Sequence, residues 1–486
     1  MSDQKPIELS PQQKQAFAAV TLFISKKEDQ FFLLKGYAGT GKTTLVKILC
    51  NWLDKKSIHP VLLATTGRAA KILADKTDRA ARTIHSQIYL LGDIEGDEDE
   101  LTEEDVTKDT GQLLLKFDLK IKDKRVKGKE FIYVIDESSM ISNLSNEADF
   151  TKFGSGQVLF DLMRYVESEQ VIFVGDPCQL PPVSEDPRSI ALDNVYLEEQ
   201  FKTGVSQFEL TKIHRTAADN EIMNFATYFR NKIVARSFTK YPKLCVPKKN
   251  QVWLANEHKA LLRFYAKSIQ KYGIEKSIMI AFTNRQVQSN NLEIKNILHN
   301  NTQLRVGDLL MITKNCIPLG LVNGDHVVLE AFEFQEERAG FRFMNVKVRK
   351  LESNEIKEAL MIDDLLWNDN PGLNSNESQR LMIDFTKRMK KKNIKIKSDE
   401  FKDKLMSDSF VNAIQAKFGY CITCHKAQGG EWENVFLMIE KTLYGRQMKD
   451  EQKYRWLYTA LTRAEKHLLF NDGWWVEGWD DRNKNI

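Results

Sequence analysis

The residues Gly36, Gly41, Lys42 and Thr43 have the types and the spacing of a site that binds a chain of phosphates. They form the pattern GxxxxGKT between an apolar run and an amphipathic segment, and a P-loop requires this context of strand, turn and helix. Glycines let backbone N–H groups curl around phosphate oxygens, and the N-terminus of the following helix adds a favourable dipole. Lys42 would reach the β- and γ-phosphates, and the Thr43 hydroxyl would ligate Mg²⁺. The residues predicted to bind a nucleoside triphosphate in this loop are Gly36, Gly39, Thr40, Gly41, Lys42, Thr43 and Thr44.

Two other predicted strands end in side chains that suit hydrolysis of a bound triphosphate. One apolar run ends in Asp136 and Glu137. Asp136 is the predicted Mg²⁺ ligand, and Glu137 is the base that orients and deprotonates the attacking water. Another apolar run leads to Gln179, which can sense the γ-phosphate. The alternative for Gln179 is an ordinary polar loop residue.

The elements that must position these residues alternate short apolar runs with helical patterns, which is typical of a parallel sheet with crossover helices. The predicted buried strands of the first half are Phe31–Leu34, Val61–Ala64, Phe131–Ile135 and Val171–Val174. The first is followed by a helix with one apolar face, formed by Leu45, Ile48, Leu49 and Trp52. A second α/β pattern begins after about Thr216. It contains a strand at Ser277–Phe282, a helix to about Leu298 and a last strand at Leu468–Phe470.

Length and composition limit the class of protein. A chain of 486 residues is too long for one ordinary hydrophobic core, so we expect two or more domains. The net charge of +4 is only mildly basic, so binding of nucleic acid would depend on where the charges cluster. No apolar run is long enough to span a bilayer and no signal peptide is apparent, which predicts an intracellular protein without a membrane partner. The six cysteines, including Cys421 and Cys424 in a CxxC, are predicted to be reduced thiols rather than zinc ligands.

Two segments interrupt the α/β pattern. In the first, Glu95–Asp105 is strongly acidic and predicts a solvated loop, with a DNA-mimicking or regulatory element as the alternative. Leu115–Ile121 alternates apolar and polar residues and leads into a basic run, which predicts a small hairpin with a basic tip. In the second, short β segments run from Arg305 to about Val348, and Asn323-Gly324 predicts a hairpin between them. The basic stretch Lys387–Lys397 predicts an exposed helix face or, alternatively, a contact to phosphates.

These patterns together resemble the superfamily 1 helicases. Gln13 in LSPQQKQAF looks like the adenine-reading glutamine of the Q motif. The segments GDPCQLPPV at 175–183 and HKAQG at 425–429 resemble the motif sequences of the RecD-like and phage Dda-like branch, superfamily 1B. Further segments resemble motif Ia (64–71), motif Ib (83–86), motif IV (210–215), the start of the second motor domain (281–285), motif V (423–431) and motif VI (457–464).

The resemblance implies a fold of the α/β class, with two RecA-like parallel-sheet motor domains, a small 1B hairpin insertion and an SH3-like β insertion called 2B. On this chain, motor domain 1A would comprise residues 1–86 and 130–216, and insertion 1B residues 87–129. Motor domain 2A would comprise residues 217–298 and 410–486, and insertion 2B residues 299–409. In this branch the 1B hairpin splits the duplex. Phe117 is a candidate wedge there, with a core aromatic as the alternative.

The resemblance also implies a DNA helicase that hydrolyses ATP between its motor domains and moves 5′ to 3′ on single-stranded DNA. Arg215 and Arg463 look like arginine fingers, which would join Lys42, Glu137 and Gln179 as catalytic residues. A surface ion pair is the alternative for either arginine. Candidate DNA contacts, expected on the face opposite the P-loop, are Thr66, Arg68, His85, Thr423 and His425.

The sequence leaves other functions open. The same motor could act on RNA, or it could be a clamp whose ATPase responds to single strands without unwinding. Expected partners are single-stranded, duplex and forked DNA, with replication or recombination proteins as further candidates. We expect a monomeric motor in the cytoplasm of a bacterial or phage-infected cell.

Overall fold

The chain forms two compact units in a computed structural model. The structure describes residues 8–95, 114–120, 129–143, 151–182, 188–213, 220–246, 251–351, 353–396, 398–446 and 448–478. Unit 1 comprises Met1–Leu90, Leu119–Ser145 and Gly154–Asn220. Unit 2 comprises Leu91–Asp118, Asn146–Phe153 and Glu221–Ile486.

The helices and strands of the described residues follow in chain order. The strands are β1 (Phe31–Gly36), β2 (Ile58–Ala64), β3 (Ala81–Thr83), β4 (Tyr89–Glu95), β5 (Leu114–Leu119), β6 (Glu130–Asp136), β7 (Thr151–Phe153), β8 (Gln170–Gly175), β9 (Val205–Leu210), β10 (Val252–Ala255), β11 (Ser277–Ala281), β12 (Leu309–Ile312), β13 (His326–Arg338), β14 (Phe341–Lys350), β15 (Ile356–Ile362), β16 (Ala416–Phe418), β17 (Cys421–Thr423), β18 (Trp432–Leu437) and β19 (Ala464–Asn471). The α-helices are α1 (Pro11–Lys26), α2 (Lys42–Lys55), α3 (Gly67–Thr77), α4 (Ile84–Ile88), α5 (Val158–Val166), α6 (Asn194–Phe201), α7 (Glu221–Val234), α8 (His258–Tyr272), α9 (Asn284–His299), α10 (Ser375–Lys391), α11 (Asp399–Ser407), α12 (Cys424–Ala427) and α13 (Asp450–Leu461).

Unit 1 contains a six-stranded parallel sheet in the order β3-β2-β6-β8-β1-β9. The four strands predicted from apolar runs lie within β1, β2, β6 and β8, so those predictions are confirmed. The predicted apolar face of α2 is confirmed in part: Leu45 and Leu49 are buried in the core with Phe32, and Trp52 packs against that core. The buried face is completed by Val46, Cys50 and Leu53, and Ile48 is only partly buried. All strands of a parallel sheet point the same way, so the loops that follow them meet at one edge.

Unit 2 contains a second parallel sheet of five strands, in the order β10-β19-β18-β11-β17. It also contains a five-stranded antiparallel sheet in the order β15-β14-β13-β12-β16. The fold class predicted from the sequence, two parallel-sheet domains with a β insertion, is confirmed. The antiparallel sheet extends past the predicted end near Val348, because β15 and β16 complete it.

Two local predictions in the insertion need correction. Asn323 and Gly324 form the expected turn, with the Asp325 N–H donating to Val322 O at 3.0 Å, but the connection from β12 to β13 is much longer than this turn. The close hairpin joins β13 to β14 through Ala339 and Gly340, whose φ angles are 51° and 74°. In the chain after residue 368, the sequence predicted a helix face only at Lys387–Lys397, but two helices form there, α10 at Ser375–Lys391 and α11 at Asp399–Ser407.

A small sheet with strand order β4-β5-β7 accounts for the predicted hairpin strand. β5 pairs in parallel with β7, which the sequence did not predict. The ring of Phe117 on β5 stacks on Phe153, with centroids 4.5 Å apart. Phe117 also packs against an apolar cluster from the helices α10 and α11, formed by Met382, Phe385, Met389, Phe401 and Leu405. This packing favours the core alternative for Phe117; the predicted basic tip and residues 96–105 of the acidic segment lie outside the described residues.

Among the described residues, no helix combines the length and the apolar character needed to cross a bilayer. All six cysteines are free thiols. Cys421 on β17 and Cys424 at the start of α12 are both fully buried, and burial raises the pKa of the Cys424 thiol to about 12.

Candidate functional site

The carboxyl edge of the unit 1 sheet collects the residues that the sequence singled out. The P-loop follows β1, Asp136 ends β6, and Gln179 lies in the turn after β8. In the sheet β6 neighbours β8, and β8 neighbours β1, so these three segments are adjacent. The sheet order therefore places the predicted phosphate, metal and γ-phosphate-sensing residues side by side.

The P-loop adopts a conformation that depends on its glycines. Gly39 and Gly41 have φ angles of 76° and 79°, in the left-handed region that favours glycine. The Lys42 ammonium donates to Gly36 O at 2.6 Å and to Tyr37 O at 3.2 Å. These carbonyls hold the ammonium beside the loop, where it can transfer its hydrogen bonds to phosphate oxygens. Thr43 and Thr44 lie in the first turn of α2 and are partly exposed.

Gln13 is hydrogen-bonded to the backbone of the P-loop. Its Nε2 donates to Thr40 O at 3.3 Å, and its Oε1 accepts from the Ser10 N–H at 3.0 Å as part of the capping box of α1. The neighbouring Gln12, which the sequence did not predict, accepts from the N–H groups of Thr211 and Lys212 at 3.1 and 2.8 Å. Two adjacent glutamines thus tie the start of α1 to the P-loop and to the end of β9.

Asp136 and Glu137 have the chemistry of a site for a divalent cation. Burial raises the pKa of the Asp136 carboxyl, against opposing contributions from the Glu137 N–H, 2.9 Å from its Oδ1, and from the Lys42 ammonium. A partly buried carboxyl with a raised pKa gains from a nearby cation, and oxygen donors are those that Mg²⁺ prefers. Asp136, with the Thr43 hydroxyl, therefore fits the expected Mg²⁺. Glu137 has a φ of 52°, which turns the chain out of β6.

The turn after β8 is held by its own backbone. Asp176 Oδ1 accepts from the Cys178 N–H at 2.9 Å, and the Gln179 N–H donates to Asp176 O at 3.2 Å. Gln179 is only 3% exposed, so it is part of the buried floor of this edge rather than a solvated loop residue. Arg215, the predicted finger of motif IV, lies outside the described residues.

We expect Gly41→Ala to raise the KM for ATP at least about tenfold, since the left-handed conformation costs a non-glycine residue roughly 1–2 kcal/mol. An added Cβ would also lie 2.3 Å from Gln13 Nε2. A double-mutant cycle with Gln13→Ala measures this clash, because the Gly41→Ala penalty should shrink when the amide is removed. Gly320→Ala is the matched control, since Gly320 has a φ of 65° with nothing within 4 Å of the added Cβ. An unchanged KM for Gly41→Ala would contradict the assignment of this loop as the phosphate-binding loop.

The unit 1 candidates for nucleic-acid contact lie on the same edge as the P-loop, at its other end, and not on the opposite face. Thr66 follows β2, which is three strands from β1, or roughly 14 Å. Its hydroxyl accepts from the Ala69 N–H at 3.1 Å and caps α3. Arg68 is 9% exposed, so little of it is accessible to a phosphate. Burial lowers the pKa of His85, so its ring is neutral at pH 7 and would bind a phosphate only through an N–H.

The unit 2 candidates lie where β17 ends. Thr423 is the last residue of β17, and His425 lies in the short helix α12 that follows. Burial lowers the pKa of His425, and it lowers the pKa of the adjacent Lys426 to about 8. The sequence prediction passed over Lys426, although it belongs to the same HKAQG segment. A lysine with this pKa is still mostly protonated at pH 7, so it adds positive charge beside Thr423.

Arg463 joins the segments that resemble motifs V and VI. It lies just after α13, and only 3% of it is exposed. Its guanidinium donates to Thr459 O at 2.9 Å, to Gly430 O at 3.2 Å and to Thr462 Oγ1 at 3.0 Å. These bonds exclude the surface ion pair as its role in this structure. They fix the arginine at the amino edge of the second sheet, whereas Thr423 lies at the carboxyl edge.

Two family models match the chain. A model described as an AAA domain matches residues 8–243, and one described as a UvrD-like helicase C-terminal domain matches residues 418–470. The first contains the P-loop, Asp136 and Gln179, and the second contains Thr423, His425 and Arg463.

Full-length comparisons find distant relatives. The uncharacterized protein R530 of Acanthamoeba polyphaga mimivirus is 22% identical, with 92% of this chain and 96% of that protein covered. The uncharacterized protein MJ1519 of Methanocaldococcus jannaschii is 24% identical over 90% of this chain, which spans only 36% of that protein.

Among solved structures, Pif1 helicase from Bacteroides with ADP-AlF3 and ssDNA is 18% identical, covering 96% of this chain and 93% of that one, at a TM-score of 0.49. Pif1 helicase from Candida albicans is 17% identical, covering 99% of each chain, at a TM-score of 0.43. The two family models together match more than half of the chain, and they contain the P-loop edge of unit 1 and the arginine of unit 2. The chain is therefore similar to an AAA domain over residues 8–243 and to the C-terminal domain of UvrD-like helicases over residues 418–470.

Proposed function

We propose that this chain moves 5′ to 3′ along single-stranded DNA and separates duplex strands with the energy of ATP hydrolysis. One observation supports the proposal: the chain has two separate parallel sheets, and each carries its own set of candidate residues. Unit 1 holds Lys42 and Asp136 at one sheet edge, and unit 2 holds a buried Arg463, which connects the segment resembling motif VI to Gly430 in the segment resembling motif V. The 5′-to-3′ direction rests on the sequences of segments 175–183 and 425–429, which resemble motifs of the RecD-like branch.

The proposed chemistry assigns one task to each residue of the ATP site. Lys42 neutralises the β- and γ-phosphates, and Glu137 orients and deprotonates the attacking water. Mg²⁺ bound by Thr43 and, through water, by Asp136 would neutralise charge on the phosphate oxygens. Gln179 reports loss of the γ-phosphate. Arg215 and Arg463 stabilise the charge that develops on the transferred phosphoryl group.

The proposed domains follow the sheets closely. The strands of the six-stranded sheet fall within residues 1–86 and 130–216, which we assign as domain 1A. The strands of the second parallel sheet fall within residues 217–298 and 410–486, assigned as domain 2A. Residues 87–129 are assigned as insertion 1B and residues 299–409 as insertion 2B. Strand β16, at Ala416–Phe418, completes the antiparallel sheet from outside the 2B boundary.

The proposed track for the single strand uses hydroxyl, imidazole and amide groups that bind phosphates without reading bases. It comprises Thr66, Arg68, His85, Thr423 and His425. Affinity for single strands should fall with salt, with a slope of about −0.7 per neutralised phosphate.

A strand-displacement assay on tailed duplexes tests the proposal. We expect separation of a DNA duplex with a 5′ single-stranded tail in the presence of ATP and Mg²⁺, and little separation when the tail is 3′. The Lys42→Ala variant is the control for ATP dependence. Preference for the 3′ tail would refute the assigned direction, and displacement of matched RNA duplexes at the same rate would favour the RNA alternative. ATPase stimulated by oligothymidine without displacement would favour the clamp.

The proposal extends to partners and location. We infer that single-stranded and forked DNA are the substrates, that replication or recombination proteins are candidate partners and that the motor acts as a monomer. We assign it to the cytoplasm of a bacterial or phage-infected cell, where six free thiols would stay reduced.

A further inference from the structure

The end of α10 carries a dense group of exposed lysines that the ATP site and the proposed single-strand track do not use. We call it the lysine cluster; its members are Lys387, Lys390, Lys391, Lys392 and Lys395. No acidic residue lies between Phe385 and Ser398. Within the described part of the chain, Lys390, Lys391, Lys392 and Lys395 form no ion pair. Cations stabilise the last turn of a helix, but Lys392 and Lys395 lie beyond it, and Lys387 repels Lys391 four residues on.

The helix that carries the lysine cluster is firmly anchored on its other side. Arg388 donates to Asp384 at 2.8 Å and to both carboxylate oxygens of Asp408, the longer bond being 2.9 Å. Met389 and Phe385 are buried in the cluster that α10 forms with α11. Arg388, the one arginine between Phe385 and Ser398, is thus held by carboxylates within the fold, and the neighbouring lysines face solvent.

The same helices hold the segment that we assign as insertion 1B. Phe117 of β5 and Leu91 of β4 pack on the apolar cluster of α10 and α11. Lys402 of α11 donates to Gly92 O at 2.6 Å. The lysine cluster therefore lies on the helical support of the element expected to part the strands.

We propose that the lysine cluster binds the phosphate backbone of duplex DNA; this inference rests on the proposed helicase function. Lysines are point charges without the fork of an arginine or the paired groups of an amide, so they contact phosphates rather than bases. Sites for single strands add aromatic platforms on which bases stack, and the aromatic rings here, Phe385 and Phe401, are fully buried. A duplex carries one charge per about 1.7 Å of axis, twice the density of one strand, which suits a compact group of lysines.

The test measures binding of the full chain to a short blunt DNA duplex and to oligothymidine by fluorescence anisotropy, over a range of salt concentrations. The test variant combines Lys390→Gln, Lys391→Gln, Lys392→Gln and Lys395→Gln. We expect its affinity for the duplex to fall at least about tenfold, and the salt dependence to become shallower by about 0.9 per lost contact. Affinity for oligothymidine and the ATPase that it stimulates should change less than about twofold, since only the duplex site is removed.

Two matched variants make the outcome decisive. Replacement of the same four lysines by arginine keeps the charge and should keep duplex affinity. The second variant replaces four exposed lysines elsewhere in unit 2 by glutamine: Lys240, Lys259, Lys267 and Lys271. It removes the same amount of charge and should leave the affinity for the duplex nearly unchanged. Duplex affinity equal to that of this control, or an equal loss on oligothymidine, would overturn the proposal. Binding is read without strand separation, so a failure of the proposed helicase function would be seen separately.

Discussion

We expect Lys42→Ala to lower kcat for ATP hydrolysis at least about 100-fold, the effect typical of removing one donor that stabilises developing negative charge. The ammonium lies within 2.6 Å of Gly36 O, at the start of the loop that would surround the phosphates. Among the described residues, its hydrogen bonds go to two backbone carbonyls, those of Gly36 and Tyr37, so truncation removes no bond to another side chain. The variant should therefore fold normally, and steady-state ATPase with circular dichroism measures both quantities.

Lys47→Ala is the control for this prediction. Lys47 lies on the same helix, and its ammonium pairs with Asp78, away from the P-loop. An exposed pair of this kind contributes little to stability, so the control should keep both ATPase and fold. Normal hydrolysis by Lys42→Ala would remove the assignment of the phosphate site.

For Arg463→Ala we expect a loss of about 10³–10⁵ in kcat with nucleotide affinity changed only a few-fold, the signature of an arginine finger. Part of the effect of this substitution will be structural. The guanidinium donates to Thr459 O and Gly430 O in a buried setting, and acceptors left without a donor cost roughly 1–3 kcal/mol. The ATPase rate, the binding of a fluorescent ADP analogue and thermal unfolding should be measured together, because only the ATPase rate reports the catalytic effect of an arginine finger.

Two further variants separate catalysis from stability. Arg455→Ala on α13, the helix that precedes Arg463, removes an arginine that pairs with Glu451 at 2.7 Å, and it should lower the melting temperature without lowering kcat much. Arg463→Lys keeps the charge without the fork, and it should recover only part of the rate. Wild-type turnover in Arg463→Ala would contradict the finger role, and a loss that Arg455→Ala shares in full would assign Arg463 to stability.

The pair of helices α10 and α11 is a second element to test, beside the proposed motor residues Lys42 and Arg463. It supports Phe117 through an apolar cluster, holds Gly92 through Lys402 and presents the lysine cluster on its outer side. One element thus combines mechanical support with charge. Its place in the mechanism depends on the duplex-binding test, whereas the ATP site is tested by Lys42 and Arg463 alone.

Local chemistry was enough to nominate much of the candidate ATP site. A P-loop is a contiguous pattern in which each glycine, the lysine and the threonine has a fixed task, so Gly41, Lys42 and Thr43 could be assigned before any fold was known. Strand ends such as Asp136 were also predictable, because an apolar run stops where the chain leaves the buried sheet. The same reasoning failed at Ala339-Gly340, whose hairpin has a weaker signal than Asn323-Gly324.

By itself, the sequence determined which residues are candidates to bind phosphate and which segments form strands, because turn chemistry and apolar periodicity act over a few residues. Only the tertiary structure decided which of these residues meet. The strand order placed β8 beside β1, long-range hydrogen bonds joined Gln13 to Thr40 and Arg463 to Gly430, and packing on α10 and α11 partly buried Phe117. The physical reason is that strand order and helix packing are chosen by the free energy of the whole core, to which distant residues contribute as much as neighbours.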